Sequence, residues 1–216
     1  MSTPINAAMI DFYFDCSSPW TYLAFHNIQP LARECAATIC WKPVLVGGIF
    51  NAVNPSVYAQ RDNPIPAKRD YMLKDLQDWA REAGLRITMP PSVFPVNSVK
   101  VMRACIWLLQ QKPAVFLPFA TAVFEAYWGD DLDISQDSVI AGIATRCGLD
   151  APELFQAIAT PAIKDALKAN TEKVMRRGGF GSPTMFVGHD MFFGNDRLPL
   201  VRSALLRASG QPASAP

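Results

Sequence analysis

The sequence predicts an α/β fold with the order β-α-β, a block of helices, then β-β-α. Three observations carry this reading. A strand–helix–strand pattern runs from Met9 to Val46, the hydrophobic period becomes helical from Asn97 to Arg177, and short strand patterns return at Thr184 before a closing helix.

Met9 to Phe14 alternates and is rich in aromatics, as a strand requires. Ser18-Pro19 then opens a helix, with Ser18 placed to cap and proline at the first helical position. That helix carries Tyr22, Leu23, His26 and Asn27, and Pro30 is expected to kink or end it. Thr38 to Val46 is the second strand pattern, parallel to the first because a helix separates them. Gly47 to Pro66, with Asn51, Asn54, Pro55, Asn63 and Pro64, is expected to be an ordered functional loop. Lys68 to Ala83 places Tyr71, Leu73, Leu76, Trp79 and Ala80 on one helical face, and Gly84 stops it. Thr88 to Pro95 is a proline-broken loop.

Helices are expected over Val99–Gln111, Ala114–Trp128, Ser135–Cys147, Pro152–Ala159 and Ala162–Arg177, the third with a capped start at Ser135. Thr184–Val187 and Met191–Phe193 are strands about a turn at Gly188–Asp190, and Arg197–Arg207 is the last helix. This order is that of a thioredoxin-like fold with a large all-helical insertion. Residues 9–60 and 179–208 would form its two halves, 61–178 the helical insertion domain, and 209–216 a frayed tail.

Composition narrows the function classes. Of 216 residues, 50% are hydrophobic and 18% charged, which excludes a mainly disordered chain. There are 20 Lys+Arg against 19 Asp+Glu, so no global basic field exists to recruit nucleic acid or an anionic membrane. The most apolar stretch, Ala114 to Phe124, is interrupted by Pro118 and is far shorter than the ~20 residues of a membrane span. Met1 to Ala8 holds no Lys or Arg, so no secretory signal is expected and the location is expected to be cytoplasmic. The cysteines (Cys16, Cys35, Cys40, Cys105, Cys147) are odd in number and form no C-x-x-C pair; His26 and His189 are the only histidines. Neither a metal site nor a disulfide framework is expected.

Three short segments carry chemistry. Asp15 to Tyr22 lies where a parallel strand ends and a helix begins, the place where open α/β sheets bind ligands and where helix N–H groups favour an anion. Thioredoxin-type oxidoreductases place C-P-x-C there. Here the four residues are Ser18-Pro19-Trp20-Thr21, so no internal disulfide can form; Ser18 is either a simple cap or a functional hydroxyl. Phe180-Gly181-Ser182-Pro183-Thr184 precedes a strand where such folds carry a cis-proline, which would leave the Ser182 backbone free to pair with an extended peptide; an ordinary trans proline is the other reading. In Phe193-Gly194-Asn195-Asp196-Arg197, Gly194 permits close approach and Asn195 or Asp196 can cap the last helix or serve a ligand.

F-Y-F-D-x-x-S-P-W-x-Y, F-G-S-P-T and F-F-G-N-D-R, in this order and spacing, resemble the 2-hydroxychromene-2-carboxylate isomerase family, which sits with the kappa-class glutathione transferases in the wider disulfide oxidoreductase superfamily. The resemblance runs from Met9 to Leu206. It implies glutathione as cosubstrate, with the Ser18 hydroxyl on the glutathione sulfur, the Ser182 backbone on the cysteinyl unit beside Pro183, and Phe193, Gly194, Asn195 and Asp196 at the γ-glutamyl end. Asn54 and Lys68 resemble the asparagine and lysine that reach glutathione, although the loop between them does not align cleanly. Ile49-Phe50 stands where the naphthalene-pathway isomerase has a lysine, a departure that leaves the substrate open.

The implied reaction is cis/trans isomerisation of an aromatic enone acid in aromatic hydrocarbon catabolism, by a homodimer. Lys68 and Asn97 are candidate donors to the substrate's carboxylate and enolate, and Phe50, Phe94 and Trp128 candidate walls of an aromatic pocket; packing or a solvated surface is the other reading of each. Two alternatives stand beside it: a kappa-class-like transferase that conjugates or reduces electrophiles, and a glutathione- or peptide-binding module without turnover. The physical chemistry is consistent with an activated thiol. A free thiol has a pKa of ~8.5, and a helix N-terminus with a hydroxyl donor lowers it.

Overall fold

The computed structural model describes residues 8–209, so the expectations for residues 1–7 and for the tail from 210 onward lie outside the described residues. Strand β1 (Met9–Phe14) leads through helix α1 (Pro19–Glu34) to β2 (Thr38–Pro43). The two strands are parallel, with Phe12 opposite Trp41. Pro30 lies on the exposed flank of α1 and does not end it: one N–H is lost on the solvent side while Phe25, Ile28 and Ala32 stay buried.

The expected loop after β2 is instead two short helices, α2 (Val46–Val53) and α3 (Ser56–Asp62). The physical reason is tertiary. Val46 and Ile49 are buried, and Ile49 packs in a small apolar cluster with Tyr13, Val44, Val174 and Phe186. A Cβ at Gly48 would meet the Thr171 methyl at 3.5 Å, so this glycine marks a close approach between helices, not a break. The Val46 N–H is satisfied by the distant Asp15 carboxylate at 2.8 Å.

Then follow α4 (Pro66–Glu82), α5 (Val99–Gln111) and α6 (Pro113–Phe124). The sixth helix does not continue to Trp128 as an α-helix: Glu125–Gly129 is a π-helical turn. Next come α7 (Asp137–Arg146), α8 (Ala151–Ile158) and α9 (Pro161–Arg176). Ser135 does not cap α7. Its N–H and the Gln136 side chain both bond Asp133. Strands β3 (Thr184–Val187) and β4 (Asp190–Phe193), a 3-10 turn (Asn195–Arg197) and α10 (Leu198–Ala208) complete the described chain. Neither Asn195 nor Asp196 caps α10, which begins after Arg197 without a side-chain cap.

The sheet order is β2-β1-β3-β4, with β3 antiparallel to both of its neighbours. Its core is aromatic: Phe14, Phe25 and Trp41 pack with Phe116 and Phe124 of α6, ring centroids 4.8–6.0 Å apart. The helical block is therefore fastened directly to the sheet. Among the described residues, no helix is long and apolar enough to cross a membrane.

Candidate active site

The carboxyl end of β1 and the start of α1 meet the loop before β3. Ser18 has extended backbone (φ −112°, ψ 124°), and its Oγ accepts from the Thr21 N–H at 3.3 Å, so the capping expectation holds. The same hydroxyl donates to the Ser182 carbonyl at 3.2 Å. The Ser182–Pro183 bond is cis, as its position before β3 predicted. The second hydroxyl of the S-P-x-T segment faces the same residue: Thr21 Oγ1 and Ser182 Oγ lie 2.8 Å apart. Ser182 Oγ also accepts from the Asp15 N–H at 3.0 Å. Two positions that would hold cysteines in a dithiol site are thus tied by hydroxyls to Ser182. One expectation needs correction. The Ser182 carbonyl is not free but accepts from Ser18, whereas the Ser182 N–H meets no acceptor among the described residues.

Behind this group lies Asp15, fully buried. Oδ1 accepts from the Ser17 N–H and hydroxyl, both at 2.9 Å, and Oδ2 from Val46. Burial pushes its pKa above the ordinary carboxylate value, and hydrogen bonds from Ser17, Val46 and Ser98 oppose that rise. Cys16 is buried as well. Its N–H points at Met102 Sδ (3.4 Å), and burial beside Cys105 holds its thiol well above the usual range. Cys16 is therefore packed as an inert thiol.

Trp128 is not a pocket wall. It is wholly buried, and its indole N–H donates to the Cys16 carbonyl at 2.9 Å, bracing the segment that leads into α1. Ala126 and Tyr127 are buried beside it, so the middle of this turn lies in the core. Asn97 is exposed at the start of α5; its Oδ1 accepts from the Val99 N–H at 3.1 Å, and no described contact joins it to the Ser18–Ser182 group. Lys68, in the first turn of α4, is exposed, and no described contact joins it to the Ser18–Ser182 group.

The turn after β4 does approach the site. The Gly194 N–H bonds the Pro183 carbonyl at 3.2 Å. Gly194 has φ 97°, and a Cβ there would lie 2.7 Å from Asp196 Oδ1, so only glycine fits. Asn195 is buried. Its Oδ1 accepts from Asn27 Nδ2 at 3.1 Å, while its own Nδ2 is buried without a partner among the described residues. Asp196 is half-exposed and paired with Arg197. Phe193 and Phe180 pack with ring centroids 4.5 Å apart. A Cβ on Gly181 would strike Phe193 at 2.8 Å and lie 3.7 Å from Phe50. Asn54, at the end of α2, donates to the Phe180 carbonyl at 3.2 Å. Phe50 and Asn54 therefore belong to the same neighbourhood as Ser182.

Sequence reasoning missed Asn27 and Arg61. Asn27 is one polar position on a mostly apolar helix, and only the fold reveals its contact with Asn195. The guanidinium of Arg61 lies 5.5 Å from the centroids of both Phe50 and Phe94.

A family model described as DSBA-like thioredoxin domain matches residues 9–206. The 2-hydroxychromene-2-carboxylate isomerase of Sphingobium xenophagum is 32% identical over 197 residues, covering 91% of this chain and 97% of its own. Human glutathione S-transferase kappa 1 is 25% identical over 207 residues, covering 91% and 90%. A solved structure of a 2-hydroxychromene-2-carboxylate isomerase matches with a TM-score of 0.77 at 28% identity, covering 92% of this chain and 95% of that one. With its four-stranded sheet, helical insertion and cis-proline loop, the chain belongs to the DSBA-like thioredoxin domain family.

Proposed function

We propose that the chain is a glutathione-dependent cis/trans isomerase of an aromatic enone acid, of the type that interconverts 2-hydroxychromene-2-carboxylate and trans-o-hydroxybenzylidenepyruvate. The observation that carries this is the replacement of a dithiol by two hydroxyls, Ser18 and Thr21, both bonded to Ser182 at the N-terminus of α1. Such a site can hold a thiolate and cannot exchange a disulfide of its own.

Three groups fit glutathione. The Ser182 N–H has no described acceptor, as an extended peptide would need. Asn195 Nδ2 is a buried donor without a partner, suited to the γ-glutamyl carboxylate, and the neighbouring Asp196 can accept from the ammonium. The Ser18 hydroxyl hydrogen can turn from the Ser182 carbonyl toward a sulfur anion while its oxygen still accepts from Thr21. Asn54, which already bonds the Phe180 carbonyl, and Lys68 would lie along the rest of the tripeptide.

The chemistry that glutathione supplies when bound is a nucleophile that adds reversibly to a conjugated C=C, making it a single bond that rotates before the nucleophile leaves. Ser18 and the first N–H groups of α1 favour the anionic sulfur over the thiol. The cis-proline loop fixes orientation, and the aromatic side chains around Phe50 exclude water.

The second reading is a kappa-class-like transferase, favoured by the similarity to human glutathione S-transferase kappa 1. A product assay on 2-hydroxychromene-2-carboxylate separates them. The isomerase forms benzylidenepyruvate only when glutathione is present and leaves its free thiol undiminished. A transferase consumes the thiol, and a binding module does neither. A role in aromatic catabolism, a homodimeric state and a cytoplasmic location accompany the isomerase reading.

A further inference from the structure

We infer that Arg61 is the carboxylate-binding residue for the aromatic substrate, and that Phe50 and Phe94, which hold it, are the walls against which the substrate's conjugated body lies. The inference rests on the isomerase reading and names the group by which that site selects its substrate.

Arg61 sits on α3, Phe50 on α2, and Phe94 in the proline-rich loop before α5. These segments are separate in sequence, yet the guanidinium carbon is 5.5 Å from both ring centroids. Both distances lie within cation–π reach. Arg61 has no ion pair or hydrogen bond with any described residue. A ring contact occupies none of the guanidinium's N–H donors with an oxygen acceptor. Those donors form a rigid fork that matches the two oxygens of a carboxylate.

Position ties this cation to the candidate thiol site. The Phe50 ring is 3.7 Å from where a Gly181 Cβ would be, and the next residue, Ser182, accepts the Ser18 hydroxyl. The cation is therefore linked to the Ser182 loop through the Phe50 ring and Gly181. Phe94 is 37% exposed, so a planar molecule can reach the rings from solvent. Neither Lys68 nor Asn97, the other donors considered, has a described contact with Phe50, Phe94 or the Ser18–Ser182 group. A flat, conjugated acid satisfies the whole arrangement, with ring on ring and carboxylate on the fork. Glutathione also carries carboxylates, so the test must separate the two sources.

Arg61→Gln and Arg61→Lys provide that test. With 2-hydroxychromene-2-carboxylate, Arg61→Gln should raise KM about 10- to 100-fold, the loss of a bidentate charge-assisted contact. KM for glutathione should not change. Turnover of o-hydroxybenzylideneacetone, a methyl ketone with the same enone but no carboxylate, should also be unaffected. Arg61→Lys should recover only part of the loss, because a point charge replaces a fork. Binding of 2-hydroxycinnamate without glutathione, followed by calorimetry, should weaken by the same factor in Arg61→Gln.

A rise in the glutathione KM with the acid KM unchanged would overturn the inference and assign Arg61 to the tripeptide. Equal losses with the acid and the methyl ketone would also overturn it, since Arg61 would then be structural. So would wild-type protein that fails to bind 2-hydroxycinnamate. If 2-hydroxycinnamate binding depends on Arg61 but no isomerisation occurs with glutathione, the isomerase reading fails and the carboxylate site stands.

Discussion

The joint between α1 and the cis-proline loop contrasts with the aromatic rim formed by α2, α3 and the loop before α5. At the joint, Asp15, Ser18, Thr21 and Ser182 are linked to one another by hydrogen bonds, and all but Ser18 are buried. At the rim, Phe94, Tyr58 and Arg61 are exposed, and Arg61 has ring contacts but no polar partner among the described residues. The joint is set before any ligand arrives, as a site that must place a sulfur anion requires. The rim holds its cation in place while keeping the donors for a ligand. On the proposed reading, reaction type is a property of the joint and substrate choice a property of the rim.

The largest effect should come from the joint. Ser18→Ala removes the hydroxyl donor and should cut glutathione-dependent turnover roughly 10- to 150-fold, equivalent to a charge-assisted bond of ~1.5–3 kcal/mol. The accompanying loss of the α1 cap costs only ~1 kcal/mol of stability, so denaturant melts should show a folded protein. Trp128→Phe removes the donor to the buried Cys16 carbonyl and leaves part of the indole's volume empty, and should destabilise by at least ~1–3 kcal/mol in urea unfolding.

Asp15 gives a pH-dependent test. Its folded pKa is raised, so between the unfolded and folded values the folded state binds more protons. The contribution of this group to stability is therefore complete below the unfolded pKa and is lost as pH rises through the raised folded value. Asp15→Asn cannot titrate. The difference in unfolding midpoint between variant and wild type should narrow as pH rises through that window, and a constant difference would show that Asp15 does not titrate there.

The smaller effects sharpen the division. Asp196→Asn should raise KM for glutathione by ~2–5-fold, the size expected of a half-exposed ion pair, and leave unchanged the KM for a truncated thiol without the γ-glutamyl group. Equal losses with both thiols would assign Asp196 to folding. Asn97→Ala should cost ~0.5–1 kcal/mol through the lost bond to Val99 and change no KM.

Much of the joint was legible in the sequence because its signals are local. Ser18-Pro19 states a helix start, and Ser182-Pro183 precedes a strand of four apolar-rich residues. The rim was legible only in part. Phe50 and Phe94 stood out as aromatics near loops, but Gly47-Gly48 read as a break, although the helix there is stabilised by packing on α9 and by Asp15, more than thirty positions upstream. Arg61 looked like one more surface charge, since the rings that hold it come from other segments. Trp128 was misplaced because a large aromatic reads the same in sequence whether it fills a core or lines a pocket.

The central claim is that two hydroxyls at the start of α1 turn a redox scaffold into a thiol-activating one. The most direct measurement is a pH titration of thiolate absorbance at 240 nm for glutathione bound to wild-type protein and to Ser18→Ala. The bound thiol should titrate well below the ~8.5 of a free thiol in wild type and move back toward it in the variant. Identical titrations, or a wild-type value no lower than that of free glutathione, would contradict the account.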